Sequence, residues 1–489
     1  MSDRVRFFRR KWPRRLLRGS IGLVVILVVG LLVTRAVVKA RGEARVAEQV
    51  AALDAADPRW KWDEVEFDRM LIPDDENSAL LLPEFEAALG DVPIEWTAPR
   101  TPGRRSRSSD QPPNDFYDQG VMAEVAALLD RHGDALAIAK VFADRPRGRH
   151  PLEFPADDYQ PRSAHHVQLR RVAVLLDLAA EAAAHAGRAA DVRPLVLALW
   201  NAAASLDTEP VVQSQLFRLT RLADTLDRVE RTLALGVPPD DLTSLQGMFL
   251  AEARTDYFTA GVRGERAAIE RFRRRMEAGE LSAADWPQAR RSIGTVPLIG
   301  PPPAPPDFKE RVVSWARVGT VLPEDFGRHL EYTTAALRAV EVAEPEQLAA
   351  LPPKPDGLAL FQWARKDIAW LLEFQLRIRA HLRCAATALA VERFRLRHGR
   401  WPATLAEVPK DLLSAVPPDP FDGRPLRLAR EPDGVTVYSV GPDRRDATGP
   451  SEYVPVVDDV EFRLYDPAER GLRDHHEPAQ PVRPPDKDP

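Results

Sequence analysis

Histidines and carboxylates in close sequence are where this chain could do chemistry. His165-His166 opens an apolar helical stretch, with Asp157 and Asp158 a few residues upstream, and such a mixture can bind a metal ion or exchange protons. Successive residues on a helix project about 100° apart, which argues against both imidazoles serving one ion, so the pair is expected to be surface or capping residues. Asp474-His475-His476-Glu477 offers four more ligating groups. It lies in a charged, Pro-rich tail that cannot bury enough apolar surface to order itself, and weak adventitious metal capture is the expectation there. The single cysteine, Cys384, stands among Leu382, Ala385 and Leu389, where a small core residue is expected rather than a nucleophile. Arg271, Arg273, Arg274 and Arg275 follow Glu265 and Glu270 and read as a solvated helix face able to meet an acidic partner or a membrane surface.

Other chemistries lack their residues. The sequence has no Gly-rich phosphate loop, dinucleotide fingerprint, HExxH or GxSxG, and one cysteine excludes an internal disulfide framework and any zinc site built on paired cysteines. No catalytic residue, cofactor-binding residue or small-molecule substrate is assigned, and the expectation is a protein that is not an enzyme. The charge distribution points away from polyanions. Eight basic side chains against Asp3 give the first 18 residues +7, so within an overall charge of −5 the rest of the chain carries −12. An acidic body without clustered Lys and Arg is a poor phosphate binder, so no nucleic-acid partner is expected.

That basic leader precedes Gly19 to Thr34, an uncharged run rich in Val, Leu and Ile that Ala36-Val37-Val38 extends past Arg35. Twenty helical residues span roughly 30 Å, the hydrocarbon thickness of a bilayer, and Arg35 can snorkel to the headgroups. The leader outnumbers Lys39, Arg41 and Arg45 in positive charge, which keeps the N-terminus cytoplasmic and exports the bulk of the chain. The lipid bilayer is therefore an expected partner. A cleaved signal peptide is the competing reading, with Val38-Lys39-Ala40 as the processing site. Ala36 to Leu53 continues as a helix-compatible stretch without a turn, which favours an uncleaved signal-anchor.

The 489 residues, 44% hydrophobic and 29% charged, exceed what one core usually needs. The fold class expected is mainly α: a transmembrane helix, an exported helical bundle or solenoid-like array, and a small C-terminal α+β module with a β-hairpin. The expected division is a basic leader over 1–18, the anchor over 19–38, a helical stalk and entry over 39–96 and a flexible linker over 97–115. A helical-hairpin domain over 116–296, a Pro-rich linker over 297–307 and a helical segment over 308–398 follow. A β module over 399–466 and a disordered tail over 467–489 complete the chain. Helical apolar stripes run over Val167–Ala186, Val192–Leu206, Gln213–Leu235 and Leu242–Phe258, and Leu358–His398 reads as one long helix. Short connectors such as Asp207-Thr-Glu-Pro210 imply antiparallel neighbours. Gln168-Leu169-x-Arg171-Val172-x-x-Leu175-x-Asp177 recurs as Gln215-Leu216-x-Arg218-Leu219-x-x-Leu222-x-Asp224, a spacing found in stacked helical hairpins.

The last module carries the most specific motifs. Phe394-Arg-Leu-Arg-His-Gly399-Arg-Trp-Pro402 is a helix stopped by Gly399 in the C-cap role. Pro418-Asp-Pro-Phe-Asp-Gly423 is a turn, Leu426-Arg-Leu and Val435–Val440 alternate as strands, and Pro432-Asp433-Gly434 joins them as a hairpin. Gly441-Pro-Asp443-Arg-Arg-Asp446 closes the unit as a polar loop. This order resembles the periplasmic module of the major pseudopilin of type II secretion, over about 394–449. The resemblance implies a calcium-binding loop, with Asp443 and Asp446 as the candidate ligands. Arg444 and Arg445 replace the family's Gly-rich acidic continuation and would oppose a dication, so a capped surface turn without an ion is the alternative expectation. Val24 also stands where a pseudopilin following Gly19 needs Glu, which argues against pilus-type assembly.

Together these features lead to the expectation of a single-pass envelope protein whose exported helices act as a protein-interaction scaffold for an unknown envelope partner. The alternatives are an accessory component of a secretion or pilus-like machine, and an envelope enzyme using carboxylates.

Overall fold

Apolar stripes at helical spacing become thirteen α-helices in the computed structural model of the chain, which describes residues 14–90, 113–154, 163–280, 307–353, 362–446 and 459–472. The fold is mainly helical, with one apolar N-terminal helix and a small C-terminal antiparallel sheet. The proline cluster at 297–306, the stretch at 99–112, Asp157, Asp158 and the Asp474–Glu477 run lie outside the described residues.

Helix α1 (Arg14–Ala56) carries the apolar run and continues without a break into a segment that packs on the body. Gly22–Ala56 is long and apolar enough to cross a membrane, and its apolar window is wholly unburied. The far end differs. Val46 and Leu53 are buried against α11 (Phe308–Arg338), and Leu53 shares a small core with Trp60 and Leu330. Gly42 and Gly327 allow the close approach: a Cβ at Gly42 would lie 2.5 Å from the Glu324 nitrogen, and one at Gly327 would meet the Arg45 side chain at 2.7 Å. Past α1, Asp57 accepts from Arg263 at 2.9 Å and from Arg266 at 2.6 Å, fastening the chain to α10 (Tyr257–Glu277).

After α2 (Trp62–Phe67) and α3 (Leu81–Leu89), the pair α4 (Gln119–Arg131) and α5 (Gly133–Lys140) breaks at Gly133. The central helices α6 (Ala164–His185), α7 (Ala189–Ala204) and α8 (Val212–Ala234) follow and pack on one another through short connectors, and α9 (Leu242–Glu252) packs instead on the long helix Gln362–His398. The apolar positions of the sequence repeat face the core in both copies: Leu169 and Leu216, Val172 and Leu219, Leu175 and Leu222 are all buried. The polar positions differ, since Arg171 pairs with Glu86 near the surface while Arg218 is buried against Glu252. The expected helix over Leu242–Phe258 is two helices. Asp256 caps α10 by accepting from Thr259 N, and Gln375 Oε1 accepts from both Tyr257 N and Phe258 N at 2.8 Å. Side-chain acceptors thus satisfy the donors that a new helix start exposes.

Beyond the short α12 (Gln347–Ala350), α13 (Gln362–His398) lies against the sheet formed by β1 (Arg427–Glu431), β2 (Gly434–Ser439) and β3 (Val460–Tyr465), in the order β1-β2-β3. Gly399, at φ 71°, ends α13 as expected, its N–H donating to Arg395 O at 2.7 Å. The hairpin pairs Glu431 with Gly434 around Pro432-Asp433. One continuous cluster of buried side chains runs from Leu81 on α3 through α6–α9 and α13 to Leu464 on β3, so the helical body and the sheet share a core.

Candidate functional site

The connector between α7 and α8 positions one buried carboxylate. Glu209 N donates to Leu206 O, and Gln215 Nε2 donates to the carbonyls of both Leu206 and Glu209, so the connector is held as a fixed turn. Gly264 lets α10 press against it, because a Cβ there would overlap Pro210 O. The Glu209 side chain is fully buried.

Three imidazoles converge on it. His165 and His166 come from the first turn of α6, where His166 N donates to Ser163 O, and His150 comes from the extended chain before it. That chain can cross the end of α7 because residue 148 is glycine: a Cβ there would sit 2.7 Å from Ser205 Cβ and 3.0 Å from His150 Nε2. His165 Nε2 is 2.9 Å from Glu209 Oε1, and His166 Nε2 is 3.9 Å from Oε2. His150 stacks on His165 with ring centroids 4.4 Å apart, and Phe217 stacks on the other side of His166. All three histidines are largely buried, which corrects the expectation of surface or capping residues for His165 and His166.

Hydrogen-bond bookkeeping fixes one tautomer. Ser205 Oγ donates to Ala202 O at 2.8 Å, so its hydrogen is committed. His150 Nε2, 3.2 Å from the same oxygen, must therefore be the donor. Burial lowers His150 to about 3 against the pull of Glu209, so it is a neutral aromatic wall. His166 is also lowered by burial, and its Nε2 lies 3.0 Å from Ser214 Oγ. For Glu209, burial works to raise the pKa, but His165, His166 and His150 overcome it and hold the carboxyl below its ordinary value. The 2.9 Å contact meets the distance but not the direction of a hydrogen bond: His165 Nε2 and both Glu209 oxygens have no partner of acceptable geometry.

Successive imidazoles can serve one centre after all, because the ligand atoms of His165, His166 and Glu209 all lie within 4.8 Å of one another. The 100° separation of their Cβ directions is closed by the reach of the rings. A second group, Asp227 and Glu230 on α8 with His381 on α13, gathers in the same way. There Glu230 Oε1 already accepts from Arg463 N of β3 at 3.0 Å, which fits a role in joining sheet to helix. A shallow cleft lies elsewhere, lined by Leu129, Leu136, Lys140, Ala182, Arg188 and Pro194 among others; none of the histidines reaches it.

At the loop expected to bind calcium, Asp443 Oδ1 accepts from Arg445 N and Asp446 Oδ1 from Tyr438 Oη. Arg427 Nε stands 3.5 Å from Asp446 Oδ2, whereas the Arg444 guanidinium turns away to Pro345 O. Asp459 is pushed up to about 6, first by burial and then by Asp443, Asp446 and Glu461, so four carboxylates share this corner. Cys384 is buried in the core, with its thiol raised well above its ordinary value by burial. The basic run on α10 is matched by acids: Arg273 pairs with Glu270 and Glu277, Arg274 with Asp63 and Arg275 with Glu280, while Arg271 lies 4.1 Å over the Phe154 ring.

Comparison of the chain with family models, with curated proteins and with solved structures gives no match. The site is therefore read from its geometry alone.

Proposed function

We propose that this chain is a single-pass membrane protein, N-terminus in the cytoplasm, whose exported helical body is a protein-interaction scaffold. The observation that carries the reading is the continuity of α1. The same helix holds the unburied apolar window and the Gly42 to Leu53 face packed on α11, so anchor and body form one element without a hinge. The excess of positive charge before the span supports the orientation. The cleft at Leu129, Leu136, Ala182 and Pro194 supports the scaffold role: its floor is apolar and its charged groups, Lys140, Arg188 and Asp191, include no carboxylate pair. The histidine–glutamate cluster is largely buried, Glu209 wholly so, and the cleft does not reach it.

In this reading the unit of α13 and the three strands is a pseudopilin-like module, supported by the helix-on-sheet arrangement and by the motifs at Gly399, Asp419 and Asp443. The test is affinity capture from solubilised membranes with the full chain and with Ala182→Glu, which puts a charge into the apolar cleft. A membrane-extracted partner recovered with the native chain and lost with the variant supports the scaffold. Equal recovery with both chains removes the cleft from it.

A further inference from the structure

We propose that His165, His166 and Glu209 form a closed binding site for one divalent transition-metal ion of the zinc class. Two imidazole nitrogens and a carboxylate oxygen are the donor set that zinc accepts, while magnesium and calcium, which demand oxygen, do not suit it. The donors come from two elements, the first turn of α6 and the α7–α8 connector, and each element is locked by contacts that do not involve the other donors.

The approach of the atoms distinguishes a ligand set from an ion pair. In an ion pair the His165 N–H would point at a Glu209 lone pair. Here the two atoms stand 2.9 Å apart while both, together with the second carboxylate oxygen, lack a hydrogen-bond partner. Atoms bound to one tetrahedral zinc at ~2.0–2.1 Å lie about 3.3–3.4 Å from one another, and each points at the ion rather than at its neighbour. His165 Nε2 is 2.9 Å from Oε1 and His166 Nε2 is 3.9 Å from Oε2, and one ligand atom from each of the three residues lies within 4.8 Å of the others, so the three are close enough to share one ion. Small rotations of the imidazoles bring them to it. Metal binding takes the place of the contact that His166 Nε2 makes with Ser214 Oγ at 3.0 Å, which leaves that hydroxyl free to hold a water on the ion. His150 cannot ligate through Nε2, since that nitrogen donates to Ser205; its ring instead stacks on His165 and fixes the plane of that ligand.

Such a site ties the connector to the start of α6. Because it is buried, the ion is expected to enter during folding and to leave slowly. The full chain, purified in detergent from zinc-supplemented cells, should carry close to one equivalent of zinc by elemental analysis. After chelation and exchange, added cobalt should give the intense visible absorption of a four-coordinate nitrogen and oxygen site. Glu209→Gln and His166→Asn should each weaken zinc binding by more than about 100-fold, the upper end of what losing a mere supporting partner costs. Ala substitution of His475 and His476 together, and His381→Gln, should leave the equivalent in place. Full-chain protein that folds yet holds under a tenth of an equivalent overturns the proposal, as does zinc that disappears with the tail or His381 variants instead. If Glu209→Gln does not fold, the decision rests on His166→Asn, the less buried of the two ligand rings: native folding with unchanged zinc content overturns the site.

Discussion

Gly42 of the apolar helix and Glu324 of α11 meet so closely that a side chain at 42 would lie 2.5 Å from the Glu324 backbone nitrogen. Backbone cannot give way as a flexible side chain can, so Gly42→Val should force α1 from α11 at a cost of about 1–3 kcal/mol, the usual range for overpacking. Protease cutting between Ala56 and Trp62 should quicken in detergent. Gly247→Ala is the matched control. Nothing stands within 4 Å of a Cβ there, and the gain in helix propensity should raise stability by about 0.5–1 kcal/mol. Equal melting shifts for both variants would contradict the packing described.

A second prediction concerns acid. Glu181 on α6 is buried between Arg228 and Arg231 of α8, with Arg231 Nε at 2.6 Å. Burial opposes ionisation, but the two guanidiniums prevail and lower the carboxyl to about 2. A depressed carboxyl contributes stability that is complete above its unfolded value near 4.5 and is lost as pH falls through about 2. Denaturant titrations from pH 5 to pH 2 should show that loss in the native chain, and Glu181→Gln should flatten it while destabilising the protein at pH 7. Arg228→Ala leaves a buried carboxylate and Asp177 short of a partner and should cost about 3–5 kcal/mol.

Asp419 is the keystone of the sheet unit. Its carboxylate accepts from Phe421 N, Ser439 Oγ, Val440 N and Arg427 Nη1 at 2.8–3.0 Å while fully enclosed. Asp419→Ala strands these donors and should cost at least about 3 kcal/mol. Hydrogen exchange should rise first in β2 and the 418–426 turn. An effect spread evenly over α6–α9 would contradict a local role.

The carboxylates at the C-terminal corner give a fourth test. Asp459 Oδ1 is buried without a hydrogen-bond partner, and Asp443 and Asp446 help push the group up to about 6, an excess of negative charge that a calcium ion would relieve. A calcium ion bound here would raise the melting temperature at pH 7 and lower the pH at which Asp459 titrates by NMR, and Asp443→Asn with Asp446→Asn would abolish both effects. No response in the native chain removes calcium from this loop.

How much of this was legible depends on the distance over which each feature is encoded. The helices, the Gly399 stop and the Pro432-Asp433 hairpin follow from neighbouring residues, and the structure bears them out. The break at 253–256 escaped notice because the acceptor that helps make it, Gln375, is on another helix. Strand β3 was missed although Val460-Glu-Phe-Arg-Leu-Tyr alternates as a strand does; it stands alone after a polar loop, with no turn to mark a partner. Of the buried cluster only His165-His166 stood out. Glu209 looks like one more acid before a proline, and only the packing of α10 on Pro210 and of Gly148 on Ser205 brings the four residues together. A glutamate in a short, Pro-ended connector between two strongly apolar helices was the signal that could have singled it out.

The anchored topology is tested most directly by treating spheroplasts, in which the outer face of the cytoplasmic membrane is open, with external protease and determining the intact mass of the protein that remains in alkaline-washed membranes. An uncleaved anchor should leave a membrane-retained fragment beginning at the native N-terminus and including residues 19–38, with the body digested from outside. A body released into the wash with its N-terminus at or after Ala40, or protected from the protease in unbroken spheroplasts, would contradict that topology.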